Sequence, residues 1–567
     1  MTAWGLTFLW LAYRVQFGAE DGDESFYSTL PYGFLLGNKP YLDELAMHQN
    51  GGIALIPLYR AYLWIKGSAE GVILFNRGAF LLYTALVSLL TFRLTSKLCG
   101  RASAAWGAAL VATHAYYNLF ALSYNTLGML GLTSGLLLLA LGLLDERPGR
   151  KLFMASVFGT LAVFAYPTLA LVWLVEVALA GAWLLRLHPA ARRSGFLGLL
   201  GGLALSALAA CAFIAWVTPD GLRRAVEYEW GMGYAGFGNA AATDLKPLPR
   251  LLLIGNVALL ALFPLAWARL PRLTPGLVAL VPLGLCLLYR SAWRAPMPSA
   301  AAMFQAALPA LLIVCALLMR GRLHNRLLLQ FFCVPALVAE ATVAKTSANG
   351  AVSACLGALP ALAACAAALT LLGQSLASRR RDQFNEEPAL IGSNAALIGA
   401  FCAAGLAIQV HSTSRWVYDE YIPNARESES VWSYHDRVRV GPFRGTLTHA
   451  PQVEKLEALH RDVKQVEAPG KTLLTIGEVG AAYLSTSMRP RTFSHWVMLR
   501  MLRPDFAREL FLRSFGAADA KPDFVVVDHA IMREAKRYFL FPFRRSYKAL
   551  IARPEYGYTI YRRVGRG

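Results

Sequence analysis

Asp23, Glu24 and Tyr27 lie within a single helical turn in the stretch AEDGDESFYSTLPYG, residues 19–33. Four carboxylates, Glu20, Asp21, Asp23 and Glu24, crowd into five positions there, in a chain whose formal charge is +20. The stretch follows directly on the first apolar run. A carboxylate held just outside hydrocarbon is partly dehydrated, which raises its proton affinity and suits it to general-base work. The same group could bind a cation or a proton, or simply face water. What positions it decides between these.

The 567 residues are 56% hydrophobic and only 16% charged, which points to a membrane protein. Apolar runs at 3–18, 77–98, 102–121, 124–144, 151–166, 168–187, 195–217, 250–268, 275–290, 300–319, 327–344, 350–373 and 389–410 suggest about thirteen crossings of about 30 Å of hydrocarbon. The loops SKLCGR, DERPGRK, RLHPAARRSG, ARLPRLT, RGRLHNR and SRRRDQF follow alternate runs and are rich in Lys and Arg. By the positive-inside rule they are cytoplasmic, with the N-terminus inside. The acidic stretch, residues 218–250 and everything after about 411 then face outward. The first run has no basic start and no small-residue cleavage site, so it reads as a span rather than a signal peptide. Arg14 interrupts it near its outward end, where it is expected to snorkel to the surface. Arg93 is expected to reach the inner face. All eight cysteines fall in or beside apolar runs, so no disulfide framework or thiol nucleophile is expected outside.

Three blocks result. Residues 1–410 form a helical membrane domain, with 19–76 as a long first outward loop. Within that loop Phe26, Leu30 and Phe34 share one face of a short amphipathic helix expected to lie on the interface, and IALIPLYRAYLWIKG reads as a second. Residues 411–567 form a soluble α/β domain: KTLLTIGEVG, PDFVVVDH and YGYTIYRR read as strands and QVEKLEALHRDVKQV as a helix. This tail holds 26 Lys and Arg against 17 Asp and Glu. Outward placement argues against nucleic acid, and anionic headgroups or phosphate-bearing substrates suit the charge better. No Walker A loop, H-E-x-x-H or G-x-S-x-G with strand context is present, which leaves nucleotide and serine hydrolysis unsupported.

The order of a single span, then D-E-x-x-Y (Asp23, Glu24, Tyr27), then LLGNKPYLD, then IPL at 56–58 resembles the first outward loop of GT-C superfamily glycosyltransferases, such as the bacterial aminoarabinose transferases and the protein O-mannosyltransferases. The resemblance implies a polytopic GT-C fold of about thirteen helices with a soluble periplasmic C-terminal domain. It implies a multi-pass enzyme of the bacterial inner membrane, active on the periplasmic side. Such an enzyme moves a sugar with inversion from a polyprenyl-phosphate donor to a glycan, glycolipid or protein acceptor. Asp23 then matches the family's catalytic base and Glu24 its neighbour. Two departures stand out. Phe26 occupies the place where aminoarabinose transferases carry an Arg, and YYNLFALSYNTLG offers Asn118 and Asn125 where relatives often have a second acid. A metal site of two carboxylates is therefore not expected, nor any other cofactor.

A polyprenyl phosphate needs cations near the outer face, and Lys39, Arg60, Arg290, Arg294 and Lys345 are the candidates. Arg290 and Arg294, four apart, could share one anion on a helix. Each could equally be an interfacial anchor. Tyr27, His48 and Gln49 lie where the resemblance implies donor or acceptor contacts. In the tail, Arg489, Arg491, His495 and Trp496 could meet an acceptor or merely stabilise a loop. The alternative function is a transporter or lipid flippase, with Glu176 and Glu340 as the acids inside the membrane body.

Overall fold

Apolar backbone in lipid has no water to bond and must coil on itself. The computed structural model does this along most of the apolar sequence. It describes residues 2–19, 21–46, 48–115, 119–231, 280, 282–287, 297–318, 323–346, 355–384, 389–415, 430–497 and 504–564. The first ten helices are α1 (Thr2–Arg14), α2 (Asp23–Leu35), α3 (Gln49–Lys66), α4 (Val72–Cys99), α5 (Arg101–Ala112), α6 (Tyr124–Leu143), α7 (Gly149–Ala165), α8 (Ala170–Leu184), α9 (Pro189–Trp216) and α10 (Pro219–Gly231). Beyond them come Met297–Ala306, Leu308–Leu318, Leu323–Leu328, Val334–Thr346, Leu359–Phe384 and Ala389–Thr413.

Five described helices are long and apolar enough to cross a membrane: Val72–Cys99, Tyr124–Leu143, Pro167–Leu184, Pro189–Trp216 and Arg326–Ala344. The expectation of thirteen full spans is thus met only in part, and the differences have local causes. α5 ends at Ala112 rather than running to 121, because the Thr113 hydroxyl folds onto the carbonyls of Ala109 and Leu110 and meets Gln409. The run at 300–319 breaks at Ala307, just ahead of Pro309, which lacks an N–H for a continuous ladder. Leu329–Cys333 is a π-helical turn just before Pro335. The runs at 250–268 and 275–290 lie largely outside the described residues.

The tail folds as the sequence pattern suggested. Its main sheet runs in the order β4 (Arg489–Pro490), β3 (Thr472–Ile476), β5 (Phe524–Asp528), β7 (Tyr558–Arg563), β6 (Tyr547–Arg553). β3 is parallel to β4 and β5, and β7 is antiparallel to β5 and β6. Alternation sorts the two faces. Leu473, Val526 and Ile560 join Leu456, Leu459 and Val463 of the helix Ala450–Val466. Leu474, Val525 and Val527 pack on Phe493, Phe511, Phe515 and Phe539.

Where tail and first loop meet, two expectations are corrected. α2 does not lie open on an interface: every residue from Glu24 to Gly33 is buried. The tail covers the side that periodicity had left to water, with Asp21 Oδ1 accepting from the Ala481 N–H at 2.6 Å and Tyr32 donating to the Thr486 carbonyl at 2.9 Å. Nor does Arg14 snorkel outward. It is fully buried, its guanidinium lies over the Phe120 ring, and it donates to the carbonyls of Thr413, Phe17 and Arg415. The carbonyls satisfy the donors that burial takes from water.

Candidate active site

α2 begins at Asp23, with Gly22 at its cap, so the two motif carboxylates occupy a first turn where helix N–H groups favour negative charge. About 100° separates neighbouring side chains on a helix, and the pair diverges accordingly. Glu24 is buried and its two oxygens each lie 2.5 Å from Arg77, one on Nε and one on Nη2. Arg77 also donates to the carbonyls of Val15, Phe17 and Gly18 at 2.8, 3.2 and 2.8 Å. The guanidinium thereby ties α4 to the end of α1 and the start of α2.

Asp23 is half-buried, and its Oδ2 lies 3.5 Å from the Tyr27 hydroxyl one turn on. A chain of rings leads away from it. Tyr27 meets Tyr124 at 5.8 Å between centroids, Tyr124 meets His48 at 4.3 Å, and Tyr166 stacks on Tyr124 at 5.7 Å and 14°. Phe26 turns to Trp496 of the tail at 4.9 Å. The arrangement depends on a missing side chain: a Cβ on Gly51 would stand 2.6 Å from the Tyr124 backbone nitrogen. α3 and α6 therefore bring their N-terminal ends together against the middle of α2, where Gly52 packs on Leu30 and Tyr124 meets Tyr27. Ser123 and Thr126 close a capping box on α6. The N-termini of α3 and α6 converge there, where an anion would gain from both.

The other candidates are placed as follows. Gln49 braces the loop: its Oε1 accepts from Tyr41 N–H and its Nε2 donates to the carbonyls of Glu44 and Ala46. Lys39 and Arg60 are exposed. Lys345 sits at the C-terminal end of the helix Val334–Thr346; its side chain lies outside the described residues, as do Arg290 and Arg294. Trp183 near the end of α8 donates to Gln330 at 2.6 Å, and the turn Pro167–Leu169 at the other end of α8 packs on Val334–Thr346. The two helices are therefore antiparallel, and the Lys345 end approaches Tyr166.

His495 is wholly buried, with Glu44 Oε2 2.8 Å from its Nδ1 and also accepting from its backbone N–H at 2.6 Å. It clamps the tail to the first loop, against Gly33, where a Cβ would strike its Nε2 at 2.2 Å. Arg489 pairs with Asp43 at 2.8 Å, also in the first loop. Glu176 and Glu340 are buried inside the bundle, on two helices that pack together. Among the described residues no three His, Cys, Asp or Glu side chains gather to hold a metal ion. Arg77, Tyr124 and Tyr166 were not anticipated. An arginine at the edge of an apolar run was the available signal for Arg77, as it was for Arg14.

No family model and no characterised protein sequence matches the chain. Among solved structures it is similar to the Archaeoglobus fulgidus oligosaccharyltransferase in complex with zinc and sulfate, at 13% identity and TM-score 0.45 over 96% of this chain and 71% of that one. It is also similar to archaeal oligosaccharyltransferase AglB from Archaeoglobus fulgidus with an inhibitory peptide and a dolichol-phosphate, at 11% identity and TM-score 0.37 over 97% and 72%. ArnT from Cupriavidus metallidurans bound to undecaprenyl phosphate is similar at 13% identity and TM-score 0.36 over 98% and 96%.

Proposed function

We propose that this chain is an inverting membrane glycosyltransferase that moves a sugar from a polyprenyl-phosphate donor to an envelope glycan, glycolipid or protein at the periplasmic face. The observation that carries the reading is the division of labour in the motif: Glu24 is bound on both oxygens by Arg77, while Asp23 stands half-buried in the first turn of α2 beside Tyr27.

In this reading the acceptor hydroxyl gives its proton to Asp23 as its oxygen attacks the anomeric carbon. The carbon–oxygen bond to phosphate breaks on the opposite side, and polyprenyl phosphate leaves with the electron pair. The α3 and α6 N-termini hold the developing phosphate charge, with Lys345 of the helix Val334–Thr346 as the candidate cation. The rings of Tyr27, Tyr124 and Tyr166 offer flat faces to the apolar C–H side of a sugar. Glu24 acts as a positioning residue that fixes the first turn of α2 through Arg77.

The test is transfer from a polyprenyl-phosphate sugar by purified Asp23→Asn. A positioned base contributes about 10²- to 10⁴-fold, and turnover is expected to fall by that factor with the melting temperature unchanged. Full turnover in this variant would remove the assigned base.

A further inference from the structure

A cavity lies on the side of α2 away from Asp23. Tyr32 follows Asp23 by nine residues, and at about 100° per residue it points the opposite way. It forms part of the wall of a cavity of about 620 Å³ closed by the α3–α4 turn, the tail helix Ala450–Val466 and the segment 484–487. This lies within the usual range of small-ligand sites, about 300–1,000 Å³. Five chain segments build it, at Tyr32, 67–70, 441–442, 460–469 and 484–487, and the contact between them is close. Gly71 and Ile73 donate to the carbonyls of Gly441 and Pro442 at 3.0 and 3.2 Å. Gly441 has φ +82°, and a Cβ there would stand 2.9 Å from the His460 ring.

The wall chemistry narrows the ligand. Its charges are already matched: Lys464 pairs with Glu467 at 2.8 Å, and Glu70 pairs with Arg444 at 2.9 Å. Ser487 places its N–H and its hydroxyl on the other Glu467 oxygen, at 2.5 and 2.6 Å. An incoming phosphate would meet no spare cation here, and an incoming cation no spare carboxylate. The uncharged polar groups of the wall are the hydroxyls of Ser68, Ser485 and Thr486 and the His460 ring. Burial, with Lys464 beside it, pushes the His460 ring below its usual range, so at neutral pH it offers one donor and one acceptor without charge. Apolar surface lies beside these groups, from the Tyr32 ring, whose hydroxyl is already engaged, and from Pro442, Pro469 and Leu484. Uncharged hydrogen bonding beside apolar surface matches a sugar ring, which has a C–H face and a hydroxyl rim.

We infer that this cavity binds a neutral saccharide, the portion of the acceptor that extends beyond the reacting hydroxyl. Only the word acceptor rests on the transferase reading; the saccharide site stands on the cavity itself.

The experiment is binding of neutral di- and trisaccharides of glucose, mannose, galactose and N-acetylglucosamine to the full-length protein in detergent, by saturation-transfer NMR and calorimetry, with their 6-phosphates as the anionic arm. At least one neutral saccharide is expected to bind. His460→Ala and Ser68→Trp, which fills the exposed mouth, are expected to weaken it at least tenfold, and Asp23→Asn to leave it unchanged. No neutral ligand in the panel, tighter binding of the 6-phosphates, or undiminished binding in both cavity variants would overturn the inference. Retained transfer in Asp23→Asn would instead sink the transferase reading and leave the saccharide result standing.

Discussion

Arg77 divides its guanidinium between one carboxylate and three backbone carbonyls, and this sets what each neighbour can do. A planar fork with five donors can satisfy such a set; an ammonium cannot. Removing one partner of a buried pair leaves the other charge uncompensated, at a cost of about 3–5 kcal/mol. Glu24→Gln is therefore expected to lower the melting temperature strongly, and Arg77→Lys likewise, because both strip contacts from Val15, Phe17 and Gly18 or from the carboxylate facing them. Thermal unfolding in detergent beside turnover separates the roles: Asp23→Asn loses rate at normal stability, whereas Glu24→Gln loses stability first. A Glu24→Gln variant that melts normally and fails only in transfer would put the proton acceptor on Glu24 instead. Asp23 was legible because a D-E pair just beyond the first span is a local pattern. Arg77 was not, because nothing near it in sequence shows that its partner lies 53 residues upstream.

At the scale of elements, α2 shows how a correct period can give a wrong surroundings. Phe26 and Leu30 are core, as their spacing suggested, but another face carries Ser25 and Tyr32 against tail residues about 450 positions later, and Gly33, on the Phe26 side, takes the tail's His495. Small and hydroxylated side chains look like a solvated face when only one helix is read, and they serve equally for close packing. The tail strands were legible for the converse reason: KTLLTIGEVG and PDFVVVDH bury both faces, and such short apolar runs declare themselves. The α2–tail contact also carries a titration. Burial, opposed by Lys455 and by the Ala481 and Ser25 hydrogen bonds, raises the Asp21 carboxyl from its ordinary 3.8 to about 7. A carboxyl raised in the folded state favours folding below its unfolded pKa and loses that contribution as pH climbs through the folded value. The window here runs from about pH 4 to about 7, and each unit crossed withdraws up to about 1.4 kcal/mol. Docking of the tail, followed by hydrogen exchange of the Ala481 amide, is expected to loosen across that window. Asp21→Asn keeps an acceptor for Ala481 and should flatten the profile; an unchanged slope in that variant would remove Asp21 as its source.

The whole molecule is polarised along the bundle. The α4–α5, α6–α7 and α8–α9 turns expose Arg93, Lys97, Arg101, Arg150, Arg186 and Arg193, and Lys151 is close enough to Lys97 and Arg93 to feel their charge. These turns share one end. The other end holds Asp23, the N-termini of α3 and α6, and the tail, which reaches the α3–α4 turn through Arg444 and Glu70. α3 leaves that end with Trp64 and Ile65 exposed, between Arg60 and Lys66, a composition suited to a bilayer surface. Lys and Arg are retained on the cytoplasmic side during insertion, and the proposed function puts the Asp23 end on the opposite, periplasmic side. Labelling of single cysteines in intact cells checks this. Cys211 is the exposed native thiol among the described residues and is replaced first. A cysteine in place of Ser433 of the tail is then expected to react with a membrane-impermeant maleimide, and one in place of Arg147 of the α6–α7 turn only after the cells are opened. The reverse pattern would put Asp23 in the cytoplasm. There nucleotide sugars are at hand, and a lipid-phosphate donor would no longer be needed to explain a base placed at the bilayer edge.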